Sequence, residues 1–92
     1  MIRRRVVIRG TVQGVFFRDS CQREARRRGL TGWVTNRTDG SVEAVFQGEP
    51  DEVDAILVWA ADGPPRAVVT GLEVTTEKPQ VETGFRVVSH RS

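Results

Sequence analysis

Few residues in this chain could do chemistry, and the best placed of them is Arg18, which closes the stretch GTVQGVFFR from Gly10 to Arg18. Two glycines, Gly10 and Gly14, lie between the β-branched run Val6-Val7-Ile8 and a charged segment rich in helix formers, which reads as strand, tight loop and helix start. Backbone N–H groups in a loop that opens a helix point outward unpaired, with partial positive charge that a phosphate can neutralise. The planar guanidinium of Arg18 adds a fork of donors that matches phosphate oxygens two at a time. Many strand-to-helix loops with glycine and arginine bind nothing, so spacing alone leaves an ordinary loop as the alternative.

Other chemistry is scarce. Cys21 is the single cysteine, so it has no disulfide partner, and without nearby Cys or His it cannot build a structural zinc site. It reads as a small core residue rather than a nucleophile, no metal is expected, and His90, two residues from the end, reads as an exposed tail residue. No Cys–His or Ser–His pairing, carboxylate pair or long nucleotide-binding loop stands out. What remains is an anion cradle over Gly14, Val15, Phe16, Phe17 and Arg18, and a neutral polar residue, Asn36, at the end of a strand. Phosphoryl transfer suits that inventory, because its catalysis is mostly positioning and charge stabilisation. Arg18 and the loop amides would hold the phosphoryl group while Asn36 fixes an attacking water, and so spare a site would need a good leaving group.

The 92 residues are expected to form one domain, 1–92, with no apolar run long enough for a membrane span. The basic start Met1-Ile2-Arg3-Arg4-Arg5 is followed by only three apolar residues, so no signal-peptide core is expected and the cytoplasm is the default location. Thirteen arginines against the single Lys78 fit either an arginine-lined nucleic-acid surface or an arginine-favouring codon usage. A net charge of +2 with interspersed acids favours the second.

The positioning elements follow from periodicity. A first strand is expected over Arg4 to Arg9, with Val6 and Ile8 on one face, and a helix from Arg18 to about Arg28 with a narrow buried stripe of Cys21 and Ala25 backed by Leu30. Arg26-Arg27-Arg28 suits a solvated helix end before Gly29. Strands over Gly32 to Asn36 and Ser41 to Gln47 flank Asp39-Gly40, a strong hairpin signal, and put Val42, Ala44 and Phe46 on one face. Pro50 opens a second helix whose stripe is Val53, Ile56, Leu57, Ala60 and Ala61, ended by Gly63-Pro64-Pro65, with Trp59 covering an edge and Trp33 packing on one face of the sheet. A fourth strand over 67–76 should place Val68, Leu72 and Val74 on one side and Val69 on the other, and Thr83 to Val88 should form a last short strand. Two βαβ units joined by a hairpin give an α+β, ferredoxin-like split βαβ sandwich: βαββαβ plus a short extra strand, with both helices on one face of a mostly antiparallel sheet. That architecture names no function.

GTVQGVFFR at 10–18 and GWVTNRTDGSVEAVFQG at 32–48, twenty-six residues together, closely resemble the two signature stretches of the acylphosphatases, and the likeness runs on through Gly63, Pro64 and Gly84-Phe85. The resemblance implies a metal-free and cofactor-free hydrolase that cleaves the carboxyl–phosphate bond of a small acyl phosphate. Its phosphate-binding arginine falls on Arg18, its loop amides on Gly14 to Phe17 and its water-orienting asparagine on Asn36. Phosphate or sulfate could occupy such a site, and a monomer with no nucleic-acid or membrane partner is expected. Thr35 and Arg28 depart from the family's pattern, which puts a detail of the strand surface and the packing of the first helix in question. Two other classes stay open. A nucleic-acid module would show aromatics on an open sheet face, but there is no tyrosine, and Phe46 and Phe85 alternate with other apolar residues as core residues do. A catalytically idle anion-binding domain would bind phosphate without turnover.

Overall fold

The computed structural model describes residues 1–88, so His90 lies outside the described residues. The elements run β1 (Ile2–Thr11), α1 (Phe17–Arg27), β2 (Thr31–Asn36), β3 (Val42–Gly48), α2 (Pro50–Asp62), β4 (Val68–Glu77) and β5 (Phe85–Val87). They build one five-stranded sheet in the order β4-β1-β3-β2-β5, antiparallel except where β5 runs parallel to β2. This is the ferredoxin-like arrangement with one short added strand. Among the described residues no helix is long and apolar enough to cross a membrane.

Alternation along the strands decides which face is buried. Val6 and Ile8 of β1, Val34 of β2 and Val42, Ala44 and Phe46 of β3 meet Phe17, Cys21 and Ala25 of α1 and Val53, Ile56 and Ala60 of α2 in one continuous core. Burying each large side chain of this set stabilises the fold by about 1.5–3 kcal/mol. Phe46 and Phe85 stack inside it, ring centroids 5.5 Å apart and 11° from parallel, so neither offers a surface to a base. Phe17, expected in the loop, instead opens α1 and extends its narrow stripe to three buried residues one turn apart.

Several expectations are corrected. Ala61 is exposed, outside the stripe of α2. Val68 is 59% exposed, while Val69 and Leu72 pack against the core. The cause is a register shift between β1 and β4: Arg9 pairs with Gly71 and Gly10 with Val69, so Thr70 is an extra residue and the in–out alternation inverts across it. The second face of the sheet is also partly covered. Thr35, Val45, Gln47 and Arg3 are buried there, Gln47 exchanging hydrogen bonds of 2.7 and 2.8 Å with the backbone of Gln80. Thr35 is thus an interior residue whose hydroxyl donates to the Val88 carbonyl at 3.1 Å. Arg28 is no solvated helix end: it reaches Glu24 of α1 and Glu52 of α2, each at 3.1 Å, and ties the two helices together where an apolar side chain was expected.

Candidate active site

After β1 the chain turns through residues 12–16 before α1 begins. Val12 is buried and anchors this loop, and the Gln13 side chain donates from Nε2 to the carbonyls of Arg37 and Ser41, at 2.8 and 2.9 Å. Those two carbonyls belong to the β2–β3 hairpin, so one amide fastens the loop to the hairpin that carries Asn36. Gly14 sits at φ +74°, a conformation that a side chain would strain. Phe16 adopts the same left-handed region at φ 62°, rare for a bulky residue, and is 71% exposed.

Phe16 is the N-cap of α1, and no side chain among the described residues caps that helix. The first helical bond runs from the Ser20 N–H to the Phe16 carbonyl at 3.0 Å, so the amides of the first turn have no intrahelical acceptor. They carry the positive end of the helix dipole. A concavity of about 400 Å³ opens at this point, lined by Val12, Gly14, Phe16, Phe17, Arg18, Asp19, Asn36 and Val87.

Arg18 and Asn36, 18 residues apart in sequence, therefore meet in one hollow. The Arg18 guanidinium has no acid partner among the described residues, unlike Arg3, Arg5, Arg9, Arg27 and Arg28. Asn36 is the last residue of β2, pairs in register with Val42, and its side-chain amide makes no hydrogen bond among the described residues. Beyond it the hairpin is braced by Asp39, which accepts from the Ser41 hydroxyl at 2.5 Å and the Ser41 amide at 2.9 Å. These two bonds hold the Asp39 carboxyl down at about 2. Hydrogen bonds thus close the turn just beyond the point where Asn36 leaves the strand.

Of the residues expected in the cradle, Gly14, Phe16, Phe17 and Arg18 line the hollow, whereas Val15 turns its side chain toward the core from the other side of the loop. Sequence reasoning missed Val12, Val87 and Gln13. The first two follow a general apolar pattern, and Gln13 bonds only to backbone carbonyls, which leave no mark in the sequence. Asp19 is the one carboxylate among the described residues that line the hollow. Cys21 is fully buried, and burial pushes its thiol far up, which leaves it inert. Among the described residues no three His, Cys, Asp or Glu side chains converge as a metal site would require. The hollow can thus hold a tetrahedral anion by amides and a guanidinium, with a neutral amide beside it.

A model of the acylphosphatase family matches residues 4–87. A curated acylphosphatase of Thermococcus kodakarensis is 52% identical over 87 residues, covering 95% of this chain and 96% of its own. The crystal structure of the acylphosphatase from Bacillus subtilis matches with a TM-score of 0.93 at 36% identity, over 96% of this chain and 99% of that one. The acylphosphatase structure from Coxiella burnetii matches with a TM-score of 0.91 at 38% identity, over 95% and 92% of the two chains. Likeness of this extent in sequence and in fold, over the loop, the hairpin and nearly everything that supports them, means that the chain belongs to the acylphosphatase family.

Proposed function

We propose that residues 1–92 act as one unit that hydrolyses acyl phosphates to a carboxylate and inorganic phosphate, with Arg18 and the loop amides holding the phosphoryl group and Asn36 orienting the water. One observation carries the reading: a guanidinium without an acid partner among the described residues and an uncommitted amide line the same hollow at a helix N-terminus. The phosphoryl oxygens take the amides of Gly14 to Phe17 and the fork of Arg18, which neutralise charge as the P–O bond to the acyl group lengthens. Asn36 accepts from a water and aims its lone pair at phosphorus, opposite the leaving group. The new P–O bond forms, the bond to the carboxylate oxygen breaks with its electron pair, and the water's proton passes to a phosphoryl oxygen. The carboxylate leaves readily because its charge is delocalised, so the site needs no strong acid to protonate it. Inorganic phosphate, the product, is held by the same donors.

The test is steady-state hydrolysis of benzoyl phosphate by the wild type and by Arg18→Ala and Asn36→Ala, with folding followed by circular dichroism. Turnover by the wild type and its loss in both folded variants supports the reading. A wild type that binds phosphate without turnover makes this an idle anion-binding domain, and variants that retain full rates remove the assigned roles.

A further inference from the structure

A second depression, of about 380 Å³, lies beside the phosphate hollow and shares Phe16 and Asp19 with it. Its walls are the loop residues Val15 and Phe16 on one side and the Pro64-Pro65 turn on the other. That turn is held firmly against the start of α1. Gly63 packs so close that an added Cβ would come within 2.9 Å of the Phe17 ring, the Phe17 and Trp59 ring centroids stand 5.5 Å apart, and the Ala67 amide closes the turn onto the Pro64 carbonyl at 2.9 Å. The groove is therefore preformed rather than gathered around a ligand.

Two cations line it, Arg23 from α1 and Arg66 from the turn. Arg66 makes no ion pair among the described residues, and Arg23 only donates to the Ser20 hydroxyl at 3.4 Å. Asp19, at the junction of the two depressions, is the one carboxylate among the described lining residues that opposes them. The apolar walls suit a short carbon skeleton, and the cations at its far side suit a negative charge at its end.

We propose that this groove receives the acyl part of the substrate, and that Arg23 and Arg66 favour acyl phosphates bearing a second anionic group, a carboxylate or a further phosphate. The inference rests on the reading of the neighbouring hollow given above. An acyl group bound there lies over Phe16, which lines both depressions, and its charge meets guanidinium groups that no carboxylate among the described residues pairs with. Asp19 weakens the preference without cancelling it.

The test compares kcat/KM for 4-carboxybenzoyl phosphate with that for benzoyl phosphate, as a ratio within each protein, so that changes in folding or general activity cancel. The Arg23→Gln/Arg66→Gln double variant is expected to lower the ratio by about three- to tenfold, as for removal of a partly solvated charge partner. Asp19→Asn should raise it, and added salt should lower the wild-type ratio toward that of the double variant. If the double variant does not fold, Arg66→Gln alone and the wild-type salt dependence give the same readout. A ratio that neither the arginine variants nor salt moves, with benzoyl phosphate still turned over, overturns the inference and leaves the proposed function standing. No wild-type turnover of either substrate removes both.

Discussion

Arg3 and Arg18 are the same side chain at the two ends of β1, one at its start and one just past the loop that follows it. Arg3 is 4% exposed and fully engaged: Nε donates to Glu77 at 3.1 Å, and Nη1 donates to Gln47 at 3.2 Å and to Glu82 at 2.6 Å. Arg5 continues the network through Glu77 and Glu43 and lies over the Trp33 ring at 5.4 Å. Through these contacts the segment after β4 is pinned across the second face of the sheet. Arg18 has no such partners among the described residues, and the helix end beside it lacks a cap. A guanidinium already bound by carboxylates must give up those bonds before it can hold a phosphate, whereas one left unpaired beside open amides binds without that loss. The fold thus spends arginine in two ways, and the difference separates stability from ligand binding.

Substitution should break the two ends differently. Arg18→Ala is expected to lower kcat/KM for benzoyl phosphate by about 10²–10³-fold, as for loss of an oxyanion donor, with an unfolding midpoint close to the wild type's. Arg3→Ala should do the reverse, costing about 3 kcal/mol in urea unfolding because it takes the 2.6 Å partner from Glu82 and one of two arginine partners from Glu77, while the folded fraction keeps its specific activity. Gln13→Ala sits between the extremes. Without its two bonds to the hairpin, kcat should fall about tenfold through misplacement of Asn36, while inhibition by phosphate, which needs only the loop and Arg18, changes little.

The smallest effect is one of pH. Hydrogen bonds from Arg5 and Arg3 hold the Glu77 carboxyl below its ordinary range. A group lowered by folding contributes stability that is fully present above its unfolded value and is lost as the pH falls through the folded one. Urea unfolding from about pH 5 to 3 should therefore show a decline that Glu77→Gln flattens. Asp39, held down at about 2, gives up its contribution progressively as the pH falls from the ordinary carboxylate range to that value.

The elements were legible because their signals are local. Asp39-Gly40 announces its hairpin, Pro50 its helix, and alternation at Val42, Ala44 and Phe46 its buried face. The meeting of loop and hairpin could be expected from the topology once the βαβ units were recognised. What stayed hidden depends on partners distant in sequence. Inversion of β4 at Thr70 is set by the register against β1, and no window of β4 alone contains it. Arg28 looked misplaced until Glu52 of α2 came beside it, and Thr35 looked like surface until the segment after β5 covered it. Gln13 carries no signal of its own, because its acceptors are backbone carbonyls that any residue would supply. The left-handed Phe16 is equally silent, since phenylalanine gives no reason to expect that conformation.

The account rests on an unpaired Arg18 and open helix amides forming the anion cradle beside Asn36, and the most direct measurement is a crystal structure of the protein soaked with inorganic phosphate. It should show the anion held by the amides of residues 14–17 and by two donors of Arg18, with the Asn36 side chain within hydrogen-bond reach of a water next to phosphorus. Phosphate bound at Arg23 and Arg66 with the cradle empty, or Asn36 turned away from an occupied cradle, would contradict it.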